Sequence, residues 1–499
     1  MGIKTSLIKS FASYTTRRTR KASMGATSIQ QDLLSSLLKQ AQGTTFGKEH
    51  FFADINNHAD FAKAVPVRDY EAFKPFIQQI MDGHRDILWP GRPTFLAKTS
   101  GTTSGVKYIP MTRESTPFHV KSARDCLLNY FTETKNGSYF DGKMVYLSGS
   151  PLLTNDYGIK TGRLSGIVNH QIPRWLQSNK LPTYSANIIE NWEEKVEAIV
   201  DETMNEDVRL VGGIPPWVQM YYERLLDRSG CSHVIDVFPN LSVFVYGGVN
   251  YEPYRSKLED LVGAKVDTVE TYPASEGFFA FQDKYPSLGL LLNVDAGMYF
   301  EFIPADEIFH DQPTRLSLEQ VEIGVNYALL VSSNAGLWAY NIGDTVEFIS
   351  LDPPRITVTG RIKHFISAFG EHVIGKEVEE AVRLASHAMH LQIIEFTVAP
   401  QVNPEVGLPY HEWLIEFNEV PADIARMEDM LDKSIQDQNI YYKDLIRGKV
   451  LRKAKITPVA RNAFRKYMES IGKLGGQNKV ARLSNDRSIA NALEILHER

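Results

Sequence analysis

Along residues 190 to 275 the spacing of apolar positions switches between two periods, and the switching marks out an alternation of elements. In NWEEKVEAIVDETM the apolar residues recur at helical spacing, VRLVGGIPP reads as a strand ending in turn residues, and WVQMYYERLLDRSG is helical again with Gly230 as its stop. LSVFVYGG is a continuous apolar strand, EPYRSKLEDLVG a helix stopped by Gly263, and KVDTVETYPAS a further strand. Strand, helix, strand, helix, strand in this order implies right-handed crossovers over a buried parallel sheet. Such sheets hold their ligands beyond the carboxyl ends of the strands. Those ends are Gly212-Gly213, Gly247-Gly248 and Tyr272 to Glu276, so glycine and polar residues collect where a site is expected.

From about residue 289 to 360 the pattern becomes strand-rich, with turns at Asp295-Ala296-Gly297, Asn334-Ala335-Gly336 and Asp352-Pro353-Pro354, and reads as antiparallel. A new unit follows. LQIIEFTVAP and HEWLIEFN are strands, ADIARMEDMLDKSIQ is a helix capped near Pro421, and KVLRKAKITPV is a third strand, which together suggest a small α+β domain. The boundary falls at Arg361 to Lys363, giving domains of residues 1–362 and 363–499. The fold class is α/β: a large N-terminal domain of mixed and parallel sheet flanked by helices, followed by the small C-terminal one. A chain of 499 residues, 43% of them hydrophobic, buries a core large enough for such a division.

Charge and cysteine content exclude several classes. Net charge is −6 with mixed signs throughout, and no basic stripe interleaved with aromatics argues for nucleic acid. No run of apolar residues is long enough to span a membrane, so no stable membrane association is expected. Cys126 and Cys231 match neither a metal spacing nor a disulfide framework and read as thiols of a reducing, cytoplasmic protein. The N-terminus stands apart, because Lys4, Lys9, Arg17, Arg18, Arg20 and Lys21 all precede the first acidic residue, Asp32. A basic amphipathic first helix accounts for this better than a transit peptide.

Candidate chemistry begins at residues 99–110, TSGTTSGVKYIP. Consecutive Gly, Ser and Thr let several backbone N–H groups converge on one point, and such a nest binds phosphate. Lys107 adds a cation. The stretch lacks the Gly-Lys-Ser/Thr of a P-loop. Ser104-Gly105-Val106-Lys107 and Lys160-Thr161-Gly162 match the S-x-x-K and K-T-G elements of penicillin-binding enzymes, but no S-D-N element lies between them and Tyr108-Ile109-Pro110 looks extended rather than helical.

Four further motifs follow in order: YPASEG at Tyr272 to Gly277, YNIGDTVEF at Tyr340 to Phe348, GRIKHFISAFGEHV at Gly360 to Val373, and GGQNKVAR at Gly475 to Arg482. Together with the first stretch they resemble the adenylate-forming enzymes, specifically the auxin-responsive (Gretchen Hagen-type) acyl acid amido synthetases and their bacterial-like members. The resemblance runs from TTFGKEHFF to LSNDRS, nearly the whole chain. It implies a two-step ligase. A small carboxylic acid attacks the α-phosphate of ATP with Mg2+, giving an acyl-adenylate and pyrophosphate, and an amino acid amine then displaces AMP to form an amide.

Carried over by position, the resemblance implies that Ser100, Gly101, Thr102 and Thr103 hold the β and γ phosphates, with Lys107 assisting. Tyr272 would flank the adenine, Ser275 would donate to the α-phosphate, and Glu276 would place the Mg2+. Asp344 would accept the ribose hydroxyls, with Arg361 nearby, while Gly247 and Gly248 let the backbone approach the base. Lys479 would bridge the attacking carboxylate and the α-phosphate, with Lys473 the second choice. Related enzymes rotate the small domain between half-reactions, so a hinge is expected near residue 363.

Taken singly, each residue also has a plain structural role: Tyr272 as core, Ser275-Glu276 as a helix cap, Asp344 as a hairpin turn after Gly343, Lys479 as a solvated charge. Taken alone, Lys107, Arg361 and Gly247 favour the plain structural reading; for Asp344, Glu276 and the Ser100 to Thr103 loop the joint order of motifs favours function. Ala481 stands where the family usually has Pro, and Pro273 follows the tyrosine where a small residue is common. Neither removes a functional group. Two other readings stay open, coenzyme A as the acceptor and a non-catalytic nucleotide-binding protein. For the acyl pocket, Phe118, Leu127 and Tyr130 on one helical face, with Tyr146 and Trp217, compete with a core role, which is favoured for most of them.

Overall fold

The computed structural model describes residues 3–102, 105–172, 177–249, 251–362, 365–371, 373–471 and 480–493. Its first helix, Ile3–Met24, is the basic one. The charge is used against a second helix, Thr116–Thr134: Arg18 pairs with Asp125 at 3.0 Å, Arg20 with Glu133, and Ala12 is buried against Leu128 and Phe131. Two cations of the basic N-terminus are therefore paired with carboxylates of that helix. No helix among the described residues is long and apolar enough to cross a membrane.

The glycine-rich stretch forms the far end of an antiparallel hairpin, β1 (Phe95–Thr102) and β2 (Gly105–Met111), with Thr99 opposite Lys107. The parallel half consists of β3 (Lys143–Tyr146), β6 (Lys180–Leu181), β7 (Val208–Gly212), β8 (Val243–Gly247) and β9 (Asp267–Ala274). β4 (Thr154–Asp156) and β5 (Ile159–Gly162) extend the hairpin into a small sheet ordered β2-β1-β5-β4. The alternation read from the sequence is present. β7, β8 and β9 pair in parallel, and the helices Pro215–Ser229 and Glu252–Val262 connect them. Both helices close on a glycine in the left-handed region, Gly230 at φ +68° and Gly263 at φ +72°, where a β-carbon would be strained.

After β9 the chain reverses. β10 (Gly277–Gln282), β11 (Leu290–Leu292), β12 (Met298–Pro304), β13 (Asn326–Ser333), β14 (Tyr340–Leu351) and β15 (Pro354–Arg361) are antiparallel, as the pattern from residue 289 onward predicted for all but β10. They join the parallel strands in one mixed sheet ordered β12-β13-β14-β15-β11-β10-β9-β8-β7-β3-β6.

The C-terminal unit carries short strands β16 (Phe365–Ile366) and β17 (Val373–Ile374), then β18 (Ile393–Gln401), β19 (Tyr410–Phe417) and β20 (Lys455–Pro458), the last three forming one sheet. Helix Ile424–Gln438 is N-capped by Asp423, two residues past the expected Pro421. Helices Ile440–Arg447 and Ala463–Ser470 have no counterpart in the sequence reading. The unit does not stand apart from the parallel half. Phe369, Trp413 and Leu431 belong to the same contiguous apolar cluster as Trp192, Val211 and Tyr221.

Candidate active site

The carboxyl ends of β8 and β9 open into a cleft of about 580 Å³, lined by Gly247, Gly248 and residues 270–276. Thr99 and Lys107 enter from the hairpin, Asp344 from β14, and Ser367, Ala368, Asn485 and Asp486 from beyond residue 363. Four of the five motifs, far apart in sequence, thus meet in one depression.

Along its lining the Tyr272 hydroxyl donates to Asp344 Oδ2 at 2.6 Å, with both side chains buried. Two backbone devices make this contact. Leu330 is opposite Asn341 and Ala328 opposite Thr345, so Leu329 alone faces Ile342, Gly343 and Asp344, which bulge. Gly343 supplies the φ of +89° that the bulge requires, and its N–H donates to the Asn341 side chain at 2.9 Å. Asp344 is therefore a bulge residue within a strand, not a hairpin turn residue. The second device is curvature. β9 and β14 are four strand steps apart in the sheet order, which in a flat sheet would separate them by about 19 Å. A direct hydrogen bond between their side chains requires the antiparallel half to curl, and the cleft lies in the curl.

Ser275 and Glu276 form the two-residue loop of the β9–β10 hairpin, since Ala274 is opposite Gly277. The helix-cap alternative is thereby corrected. Two-residue hairpin loops favour Gly or Asn because their usual turns need positive φ, yet neither Ser275 nor Glu276 takes a positive φ. With ordinary φ at both positions the turn accepts Ser and Glu without strain, and it leaves a hydroxyl and a carboxylate on the cleft lining.

The glycines divide. A β-carbon on Gly247 would lie 2.3 Å from the Thr271 carbonyl, so this glycine lets two strands pack while it lines the cleft. Gly248 turns the chain at φ +82°. Gly212 and Gly213, expected at the site, are not among the lining residues. Their missing side chains make room for Tyr146 and Leu147 of the neighbouring segment. Lys107 lines the cleft with its Nζ 5.7 Å from the centre of the Tyr70 ring. The backbone of Arg361 is paired with Asp344 in the β14–β15 register. Ser100, Gly101 and Thr102 close β1; Thr103, Lys363, Lys473 and Lys479 lie outside the described residues.

This arrangement fits a nucleotide. A buried carboxylate oriented by a tyrosine suits a diol, the Gly247-Gly248 turn offers exposed backbone, and the hairpin brings a cation and the start of a glycine-rich run. Among the described residues no three His, Cys, Asp or Glu side chains gather to cage a metal ion. A Mg2+ held largely by phosphate oxygens needs only one or two carboxylates, which Glu276 can supply.

The GH3 family N-terminal domain matches residues 15–165 and 153–266, its central domain residues 291–361, and its C-terminal domain residues 376–488. The chain belongs to the GH3 family. Relatives include jasmonoyl–L-amino acid synthetase JAR4 of Nicotiana attenuata, 21% identical with 90% of this chain and 89% of that one covered. Indole-3-acetic acid-amido synthetase GH3.3 of Arabidopsis thaliana is 21% identical over 94% of this chain and 91% of its own. In fold the protein is similar to the acyl acid amido synthetase AtGH3.15 in complex with 2,4-DB, with a TM-score of 0.63, 16% identity and coverage of 97% and 96%. It is also similar to 2-hydroxyisobutyryl-CoA ligase, with a TM-score of 0.57, 14% identity and coverage of 95% and 91%. The large α/β part with a smaller C-terminal part is thus the fold it shares with this synthetase and this ligase.

In this GH3 protein several cleft residues carried no role in the sequence reading. Ser367 and Ala368 lie within GRIKHFISAFGEHV, and Asn485 and Asp486 within LSNDRS, so the motifs were visible while their placement was not. The Asn485 side chain accepts from the Ser367 N–H at 2.8 Å and ties the two segments together. Asp486 is held below the usual carboxylate range, chiefly by the Ser488 hydroxyl and then by the Ser488 N–H and Ser484. Of the residues considered for an acyl pocket, Tyr130 is buried core, and Phe118, Leu127, Tyr146 and Trp217 are partly buried against core clusters. Phe118 packs on one cluster, Leu127 and Tyr130 on another, and Trp217 lies 4.6 Å from Trp192. Phe118 and Leu127 do not share a face: nine residues at about 100° each bring the side chain to the opposite side of the helix.

Proposed function

We propose that this GH3 protein is an ATP-dependent acyl acid amido synthetase that adenylates a small carboxylic acid and transfers the acyl group to an amino acid amine. The observation that carries the proposal is the Tyr272–Asp344 hydrogen bond on the lining of a cleft that also takes in Glu276 and Lys107. Asp344 would accept the ribose hydroxyls, and Tyr272 would orient that carboxylate while flanking the base. Ser275 and the Ser100 to Thr103 run would donate to phosphate oxygens. Bound Mg2+, placed by Glu276, would neutralise phosphate charge. Attack of one anion on another needs alignment and charge neutralisation more than a proton shuttle, and Lys479 is assigned the bridging charge between carboxylate and α-phosphate. The C-terminal unit, residues 363–499, is assigned the movement that brings Lys479 in for adenylation and withdraws it afterwards.

ATP–pyrophosphate exchange over a panel of aryl, indolyl and aliphatic acids tests the first step, with Asp344→Ala and Lys479→Ala beside the parent. Acid-dependent exchange in the parent, lost in both variants, is expected. Exchange that persists in Asp344→Ala would overturn the ribose assignment, and its absence with every acid despite ATP binding would favour a non-catalytic nucleotide-binding protein. Offering amino acids and coenzyme A in separate reactions then identifies the acceptor, with amide formation expected.

A further inference from the structure

Strand β1 pairs in parallel with β5 from Phe95 to Ala97, and there the pairing ends. The next carbonyl along β1, that of Lys98, accepts a hydrogen bond from the Tyr441 hydroxyl at 2.8 Å. Tyr441 lies 343 residues further along the chain, at the start of helix Ile440–Arg447. Arg163, the first residue after β5, places its guanidinium 4.6 Å from the centre of the Tyr441 ring. The same guanidinium pairs with Asp444, about one turn further along the helix, at 2.5 Å. One helix of the C-terminal unit therefore holds the ends of two adjacent strands.

The position of these contacts gives them a consequence. Thr99 faces Lys107 across the hairpin, both line the cleft, and the glycine-rich run begins at the next residue. A strand carbonyl past the end of its ladder needs another partner, and that partner comes from the other unit. The seated helix thus supplies the partner for the last carbonyl before the cleft.

We propose that Tyr441 is a positioning residue through which the C-terminal unit sets the root of the phosphate-binding hairpin, making nucleotide affinity conditional on the seating of helix Ile440–Arg447. The inference rests on the nucleotide reading of the cleft. Ring and hydroxyl have separable parts in it. Tyr441→Phe keeps the ring against Arg163 and removes only the donor to Lys98, whereas Asp444→Asn weakens the seating and leaves the donor in place.

The test uses the full chain and a non-hydrolysable ATP analogue, with calorimetric affinity, amide hydrogen exchange over residues 95–111, and KM for ATP and for the acid in pyrophosphate exchange. Loss of one hydrogen bond on this path is expected to weaken analogue binding about fivefold to tenfold in Tyr441→Phe. Exchange over 95–111 should accelerate and KM for the acid should hold. Asp444→Asn should move the same quantities in the same direction, by less. Unchanged affinity and unchanged exchange over 95–111 in Tyr441→Phe would overturn the inference. So would equal losses for ATP and acid with faster exchange throughout the C-terminal unit, since that pattern marks a merely structural tyrosine. A parent that binds no analogue overturns the nucleotide reading itself, while a parent that binds beside an unaltered Tyr441→Phe overturns only the positioning role.

Discussion

Replacing Glu377 by Gln should stabilise the protein in mildly alkaline solution and leave it unchanged in acid. Glu377 is 6% exposed in the first turn of helix Gly375–Met389. Its Oε2 accepts from the Ile374 N–H at 2.9 Å and from the Asn439 side chain at 3.2 Å. Burial pushes the carboxyl up from 4.5 to about 7 against these two hydrogen bonds, which pull it down. A rise of that size corresponds to about 3 kcal/mol in favour of the neutral form. In the unfolded chain the group ionises near 4.5 and in the fold near 7, so folding takes up a proton between those values. The stability that the neutral carboxyl provides is fully present below pH 4.5 and is lost as pH rises through 7. Gln keeps the acceptor and never ionises. In urea unfolding from pH 4.5 to 8.5, Glu377→Gln should match the parent at the acid end and exceed it at the alkaline end by up to about 3 kcal/mol. A variant less stable than the parent at pH 8, or one with the parent's pH slope, would refute the reasoning. The outcome bears on the site as well, because Asn439 also caps the helix that carries Tyr441.

Two further substitutions test the site and its frame. Tyr272→Phe removes the 2.6 Å hydrogen bond to Asp344; a bond to a charged group is worth about 1.5–3 kcal/mol, so KM for ATP in pyrophosphate exchange should rise at least tenfold, and an unchanged value would remove Tyr272 from the ribose subsite. Glu301→Gln breaks a buried fork in which Arg315 donates to both carboxylate oxygens at 2.8 Å, at an expected cost of about 3–5 kcal/mol in urea unfolding at pH 7. Burial raises the Glu301 carboxyl, but Arg315 and His58 outweigh it and hold the group below its ordinary 4.5; the parent's advantage is therefore present above pH 4.5 and should vanish as pH falls through the depressed value.

The parts of this protein that were legible in its sequence share a cause. The alternation from Trp192 to Ala274 could be read because each element buries a face along its own length, so spacing alone reports it. Gly230 and Gly263 act within single turns. Phe118 and Leu127 show the reverse, since residue type suggested a common face that helical spacing denies. Tyr272 and Asp344 could be listed from motif order, but their hydrogen bond depends on strand order and curvature, which no local pattern encodes. Tyr441 was beyond reach for the same reason. Its partner carbonyl needs it only because β5 stops pairing at Ala97.

If curvature makes the site, a residue that permits the curl without touching the ligand should matter to nucleotide binding. Gly289 is such a residue. It precedes β11 at φ +80°, and a β-carbon there would lie 2.4 Å from the Ile349 side chain and 3.0 Å from the Ile356 carbonyl of β15. Leu290, its neighbour, pairs with Ile356 and lines the cleft. The exposed Ile349 side chain can swing aside, but the Ile356 carbonyl must give and the positive φ strains alanine, so Gly289→Ala is expected to shift β15 against β11 and with it the distance that Tyr272 and Asp344 span. A strained backbone of this kind costs about 1–3 kcal/mol, so the variant should still fold. Its affinity for an ATP analogue, measured on the folded fraction, is expected to fall as in Tyr272→Phe, although Gly289 is not among the residues that line the cleft. Full affinity in a folded Gly289→Ala would show that the curl tolerates this change, and would leave the Asp344 bulge as the feature that sets the distance to Tyr272.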